Sequence, residues 1–296
     1  MKNYLIGIDL GGTKIEIAVL DKNQIVQFRE RIATESKKGP KHIINQIMTL
    51  YKKAKDYIGN CPHTIGLGSP GSLSKKEKIL RNSNTLCLNG LPLQHLIEEA
   101  LQQKIILEND ANCFALAEAT LGVGKNHQLV FGVIMGTGCG GGFVINTNIR
   151  IGPQQIAGEW GHSVINTNGP SCYCGKNGCV ETYISGGGLE NILKSHNLSL
   201  LTASDFLNKK NYSDDEKLIL KNFYSNFGLA MANIINIIDP DIIVLGGGLS
   251  NHEPLYDIGI RQTYNKVFHD HPSTPIVKNS LGDSAGVIGA ALIGGN

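Results

Sequence analysis

Residues 6–21 read Ile6-Gly7-Ile8-Asp9-Leu10-Gly11-Gly12-Thr13-Lys14-Ile15-Glu16-Ile17-Ala18-Val19-Leu20-Asp21. Apolar residues crowd the first part and alternate with polar ones at Ile15, Ile17 and Val19. The pattern predicts strand, glycine turn, strand. Gly11 and Gly12 let the backbone turn sharply and approach a bulky anion without a Cβ clash. The exposed N–H groups, the Thr13 hydroxyl and Lys14 can then meet phosphate oxygens. Asp9, at the end of the first strand, is placed to hold Mg²⁺, usually through water. Two familiar phosphate loops are excluded. Gly7 and Gly12 have P-loop spacing, but Thr13-Lys14 inverts the ending and a strand follows instead of a helix. A dinucleotide-binding turn also opens a helix. A plain β-hairpin with a glycine turn satisfies the same residues.

The device recurs at 131–146, Phe131-Gly132-Val133-Ile134-Met135-Gly136-Thr137-Gly138-Cys139-Gly140-Gly141-Gly142-Phe143-Val144-Ile145-Asn146. Gly136-x-Gly138-x-x-Gly141 fits the dinucleotide pattern, yet again a strand follows. Two such hairpins about half a chain apart indicate an internal duplication with one phosphate loop per half. That is the layout of the actin-like ATPase fold, an α/β, ribonuclease H-like architecture of two domains with a nucleotide cleft between them. The expected domains are 1–121 and 122–282.

Between the hairpins, 24–33 reads as a third strand and 41–57 as a helix, with an apolar stripe at Ile43, Ile44, Ile47, Leu50, Tyr51 and Ala54. The strand 64–69 ends in Gly68-Ser69-Pro70-Gly71. Loops at such strand ends commonly line ligand clefts, although a tight turn alone accounts for the same residues. Segment 81–90 has no period and carries Asn82, Asn84 and Asn89. An amide that both donates and accepts suits sugar hydroxyls, and Asn also favours turns. A helix at 92–101 and a short strand at 104–107 follow, then an Ala-rich helix at 111–121. Asp110 sits at that strand-to-helix junction, where Asp is also a favoured cap.

Cys172, Cys174 and Cys179 fall within eight residues, ten residues after His162. Three thiols and an imidazole make a closed tetrahedral set for structural Zn²⁺. The segment 166–178 is rich in Gly, Asn and Ser and cannot build its own core, so a metal serves as its staple. Buried free thiols want apolar neighbours, and a redox pair would normally be Cys-x-x-Cys. Helices are expected at 189–196, 203–208, 214–238, 255–268 and 284–292, and a buried strand at 241–245 before Gly246-Gly247-Gly248.

At 296 residues, with 41% hydrophobic and 18% charged, the chain can hold two domains with a sizeable core. A net charge of +2 makes no electrostatic case for nucleic acid. The lysine spots Lys37-Lys38, Lys75-Lys76 and Lys209-Lys210 read as solvated loops. The longest apolar region, 229–238, is broken by Asn233 and Asn236 and is too short to span a bilayer. Seven cysteines, an odd number, and no apolar signal core near the start lead to the expectation of a reducing cytoplasm.

The chain resembles the ROK family of sugar kinases over essentially its whole length. The motifs that carry this are Asp9-x-Gly-Gly-Thr-Lys14, Gly68-Ser69-Pro70-Gly71, Glu108-Asn109-Asp110-Ala111-Asn112, Gly136-Thr137-Gly138, Glu159-Trp160-Gly161-His162, Cys172-x-Cys174-Gly-x-x-Gly-Cys179-x-Glu181 and Gly246-Gly247-Gly248. Arg81-Asn82-Ser83-Asn84 with Leu88-Asn89-Gly90, and Cys172 to Lys176, look most like fructokinase or manno(fructo)kinase members. Asn109 to Glu118 is equally similar to N-acetylglucosamine kinases. The resemblance implies transfer of the γ-phosphoryl of MgATP to the 6-hydroxyl of a hexose, fructose first and mannose second. N-acetylglucosamine, N-acetylmannosamine and glucose are the alternatives. It makes Asp110 the catalytic base and brings Ser69, Asn84 and Asn109 to the sugar. Glu159, His162 and Glu181 join them, with His162 serving sugar and metal through opposite ring nitrogens. The nucleotide falls to Asp9, Gly11, Gly12, Thr13, Lys14, Gly136, Thr137, Gly138, Gly247 and Gly248, and a homodimer is implied. The resemblance also implies that the C-terminal helix, 283–296, returns to the first domain. The family also contains sugar-sensing repressors with an added DNA-binding domain. With the phosphate strand starting at residue 3, the sequence leaves no room for a helix-turn-helix ahead of it, which favours the kinase.

Overall fold

The computed structural model describes residues 4–74, 76–198 and 201–295. Lys75 of the second lysine spot, and the terminal residues of the expected domain ranges, lie outside them. The first hairpin is β1 (Tyr4–Leu10) and β2 (Lys14–Asp21), extended by β3 (Val26–Ala33). There follow α1 (Pro40–Ile58), β4 (His63–Ser69), the short β5 (Ser72–Leu73) and β6 (Leu80–Arg81), α2 (Leu93–Leu101), β7 (Ile106–Asn109) and α3 (Asp110–Thr120). The second hairpin is β8 (Leu129–Met135) and β9 (Cys139–Ile145), with β10 (Asn148–Ile149). Then come α4 (Glu181–Ile184), α5 (Gly186–Ser195), α6 (Ala203–Leu207), α7 (Asp214–Ile238), β11 (Ile242–Gly246), α8 (Ile258–Tyr264), β12 (Ile276–Lys278) and α9 (Ala285–Gly295).

The two main sheets repeat one plan. The first has the order β3-β2-β1-β4-β7 and the second β10-β9-β8-β11-β12. In each, an antiparallel hairpin is followed by strands added in parallel. The chain divides into two compact units. One is Met1–Ala117 with Ile149–Ala157 and Asp283–Asn296, and the other is Glu118–Asn148 with Gly158–Gly282. The first crossing therefore falls inside α3, four residues before the expected 121, and the segment 149–157 belongs to the first unit instead of the second.

Ile6, Ile8 and Leu10 of β1 and Ile15, Ile17 and Val19 of β2 point to one face and pack with Ile43, Ile47 and Leu50 of α1. The opposite face carries Gly7 and Gly66, where an added Cβ would fall 2.1 Å from the Val287 carbonyl and 1.9 Å from the Ala290 carbonyl. Helix α9 therefore lies directly on the sheet backbone. Two covered faces explain why β1 reads as a nearly continuous apolar run. The second core is built around Phe131, Val133, Phe206, Phe223, Phe227 and Leu245.

Two expectations shift, and one strand was not foreseen. Strand β7 starts two residues late and runs through Asn109. The helix expected over 255–268 is only Ile258–Tyr264, preceded by a 3₁₀ turn at Glu253–Tyr256. Strand β12 has three residues, too short for any alternation to show.

Candidate functional site

In the first unit, Gly7 and Asp9 share one face of β1, so Asp9 emerges where α9 begins. A Cβ on Gly286 would lie 2.9 Å from Asp9 Oδ2. The Asp9 carboxylate accepts no hydrogen bond among the described residues. Burial, then the charges of Asp110 and Glu16, push it up to about 7, against the pull of Lys14 and Arg31. Glu16 is its cross-strand partner and is neutralised by Arg31, whose Nη2 lies 2.6 Å away. The turn that follows is closed by Gly11 N–H donating to the Lys14 carbonyl and by the Thr34 hydroxyl donating to the Gly11 carbonyl. The N–H groups of Gly12 and Thr13 donate to no protein acceptor among the described residues, and Thr13 is exposed. Lys14 Nζ lies 3.7 Å from the Asp283 carboxylate. Unpaired N–H groups, a hydroxyl and an ammonium are an anion receptor.

Asp110 is within electrostatic reach of Asp9. Its neighbour caps α3: Asn109 Oδ1 accepts from the N–H groups of Ala111 at 2.9 Å and Asn112 at 3.3 Å. Asn109 Nδ2 also donates to the Gly71 carbonyl at 2.9 Å, tying the Gly68–Gly71 loop to the junction. Asp110 Oδ1 also accepts the adjacent Ala111 N–H, at 2.9 Å. Both side chains therefore bond the start of α3, and Asn109 alone of the two also reaches the Asn112 N–H. Asn84 is exposed beside the first turn, since a Cβ on Gly12 would lie 3.7 Å from its Oδ1. Asn89 stitches its loop by bonding both the N–H and the carbonyl of Ser83. Ser69 is fully buried, and its hydroxyl donates to the Pro70 carbonyl, so it supports the loop from within.

The second unit builds two features around its own turn. Gly136 N–H donates to the Gly138 carbonyl, and Gly186 and Gly187, opening α5, donate to the carbonyls of Gly136 and Thr137. Glu181, at the start of α4, packs against this turn and accepts the Cys139 N–H at 2.8 Å. A Cβ on Gly138 would come 2.5 Å from Glu181 Oε2. Glu159 is raised above the usual carboxylate range. The surrounding protein strips water from its carboxyl, His162 opposes the rise and Glu181 adds to it. Gly247, with φ of +80°, packs on the Met135 backbone, and Gly248 has open space above it.

The ligand atoms of His162, Cys172, Cys174 and Cys179 all lie within 4.8 Å of one another. Cys174 Sγ and Cys179 Sγ are 3.6 Å apart, as are Cys172 Sγ and His162 Nδ1. A disulfide would need about 2.05 Å. Tetrahedral bonds of about 2.3 Å put neighbouring ligand atoms about 3.8 Å apart, so these four fit one Zn²⁺. The sequence reading did not foresee Tyr173, whose hydroxyl lies 3.0 Å from His162 Nε2. Nor did it foresee Glu118, which accepts the N–H groups of Val123, Ser280 and Leu281. Neither residue type at those positions carries a motif of its own.

Repeated sheet order, with a glycine turn between the first two strands of each repeat, defines an α/β protein of the actin-like ATPase class. The ROK family profile matches residues 5–295, and the chain belongs to that family. The N-acetyl-D-glucosamine kinase of Pasteurella multocida is 34% identical, covering 97% of this chain and 98% of that protein. The N-acetylgalactosamine kinase of Shewanella sp. strain ANA-3 is 35% identical, covering 97% and 96%. A crystal structure of a ROK hexokinase from Thermus thermophilus matches with a TM-score of 0.88 at 27% identity, covering 98% and 97%. The chain is accordingly a sugar kinase with ATP as donor. The Pasteurella and Shewanella proteins are named for N-acetylhexosamines and not for fructose, which favours the expected alternative over fructose as first substrate. Among the described residues no helix is long and apolar enough to cross a membrane.

Proposed function

We propose that the protein is an N-acetylhexosamine kinase that phosphorylates the sugar 6-hydroxyl, with N-acetylglucosamine as the leading substrate. The observation that carries the chemistry is the pair Asp9 and Asp110 beside an anion-receiving turn. The sugar class rests on identity of 34–35% over 97% of the chain to kinases of two different N-acetylhexosamines.

In this reading Asp110 accepts the proton of the attacking hydroxyl. Such a base is worth about 10²–10⁴-fold. Phosphoryl transfer is loose, so alignment and charge neutralisation supply most of the rest. The N–H groups of Gly12 and Thr13, with Lys14, hold phosphate oxygens, as do Thr137 and Gly138 in the second turn. Gly247 and Gly248 leave room for the nucleoside. The unpaired Asp9 carboxylate fits Mg²⁺, which when bound supplies positive charge to the polyphosphate. Asn84, Glu159, His162 and Glu181 orient sugar hydroxyls. His162, Cys172, Cys174 and Cys179 hold a structural Zn²⁺ that fixes the Glu159–Glu181 segment.

A panel of N-acetylglucosamine, N-acetylgalactosamine, N-acetylmannosamine, glucose, mannose and fructose, read by coupled ADP detection, tests this. The expected result is the highest kcat/KM with an N-acetylhexosamine. A higher value for fructose or glucose overturns the substrate class. ATP turnover independent of every hexose overturns the kinase.

A further inference from the structure

His162 offers its two ring nitrogens to different neighbours. Nδ1 lies inside the cysteine cluster, 3.6 Å from Cys172 Sγ. Where Nδ1 ligates a metal, the ring proton sits on Nε2. The Tyr173 oxygen is there to receive it at 3.0 Å, with the two rings edge to face and their centroids 5.1 Å apart.

Tyr173 is held unevenly. Its backbone is fixed between Cys172 and Cys174 by a turn in which Gly175 N–H donates to the Cys172 carbonyl and Cys172 N–H to the Lys176 carbonyl. Its side chain is 74% exposed, and its hydrogen bond among the described residues is the one to His162. A side chain so little packed leaves its rotamer on a fast timescale. What it leaves behind is an imidazole N–H that a sugar hydroxyl can occupy.

We propose that Tyr173 is a placeholder for substrate. Its hydroxyl occupies the Nε2 position of His162 in the sugar-free protein and is displaced when a hexose hydroxyl arrives. The residue therefore sets sugar affinity by competition without touching the reacting atoms. This rests on the reading of His162 as a sugar contact.

The test is Tyr173→Phe, which keeps the ring and removes the competing oxygen. Binding of N-acetylglucosamine is followed by the fluorescence of Trp160, the chain's single tryptophan. The ring nitrogen signals of His162 are recorded by NMR with and without sugar. The expected result is a Kd about threefold to tenfold lower in the variant, the range set by one exchanged hydrogen bond. KM should fall alongside while kcat is unchanged. The His162 signals should differ between the two proteins when sugar-free and coincide when saturated. A higher Kd makes Tyr173 itself a sugar contact and overturns the proposal, as does an unchanged Kd. Identical sugar-free His162 signals overturn it whether or not any hexose binds. A wild-type protein that binds no hexose, with differing His162 signals, removes the substrate reading and with it the displacement.

Discussion

Asp9 and Asp110 show how neighbours decide what a carboxylate does. Asp9 is raised from 3.8 to about 7 by burial first and by Asp110 and Glu16 next. A carboxyl raised in the folded state favours the protonated fold. Its contribution to stability is therefore fully present below about pH 4 and is lost as pH rises through about 7. Metal-free protein is expected to show a Tm falling across that window, and Mg²⁺ is expected to restore more Tm at about pH 8 than at about pH 5. Asp9→Asn should flatten the slope, and a slope retained in the variant assigns it to other groups. Asp110→Asn should lower kcat about 10²–10⁴-fold with sugar Kd near wild type. A near-normal kcat removes Asp110 from the role. At this scale the sequence located the Asp110 junction but could not tell which of Asn109 and Asp110 caps α3, because either can reach the same N–H groups. Asn109 also reaches back to Gly71, 38 residues away. Ser69 is a related case. A serine in a glycine-proline loop carries no mark of whether its hydroxyl turns outward, and here it turns onto Pro70.

At the scale of elements, legibility follows how much of an element's signal is its own. Helix α7 begins at Asp214 and ends at Ile238, as its sequence indicates. Both ends are locally encoded. Ser213 Oγ accepts the Glu216 N–H at 3.3 Å and the Glu216 carboxylate accepts the Ser213 N–H at 2.8 Å, while Pro240 follows the last turn. Ser213→Ala is expected to cost about 1 kcal/mol in urea unfolding, the usual worth of such a cap. A loss well under half of that would show that the Glu216–Lys209 ion pair alone holds the first turn. Helix α9 is the opposite case. It is apolar all round, so its sequence signals burial without saying on what. Its seat is written elsewhere, in Gly7 of β1 and Gly66 of β4, and in Gly289 of the helix itself, where a Cβ would fall 1.8 Å from the Cys113 carbonyl. Only the resemblance, and no periodicity, linked this helix to the first unit.

The molecule as a whole is one plan used twice, with two cores that share no residue. Duplication was readable because each copy keeps its glycine turn. The segment 149–157 was not, because no composition change marks it. Sugar identity was readable least, since hexoses sharing a 6-hydroxyl differ by contacts worth only about 1–3 kcal/mol. Separate cores carry a consequence for the metal. The four candidate ligands and Trp160 belong to the second unit, and Trp160 is buried there with its Nε1 donating to the Gly140 carbonyl at 2.9 Å. Far-ultraviolet circular dichroism reports both units, whereas tryptophan fluorescence reports the second alone. Treatment with a strong chelator should release zinc, measured by elemental analysis, and move the fluorescence transition to lower temperature. The dichroism curve should then split, with one phase following Trp160 and the other staying with the first unit. Cys174→Ser should reproduce the split without chelator. Both probes shifting together would show that the units unfold as one cooperative block. No shift in either, with no zinc found before treatment, would mean that the His162–Cys179 cluster is held by its turns and hydrogen bonds alone.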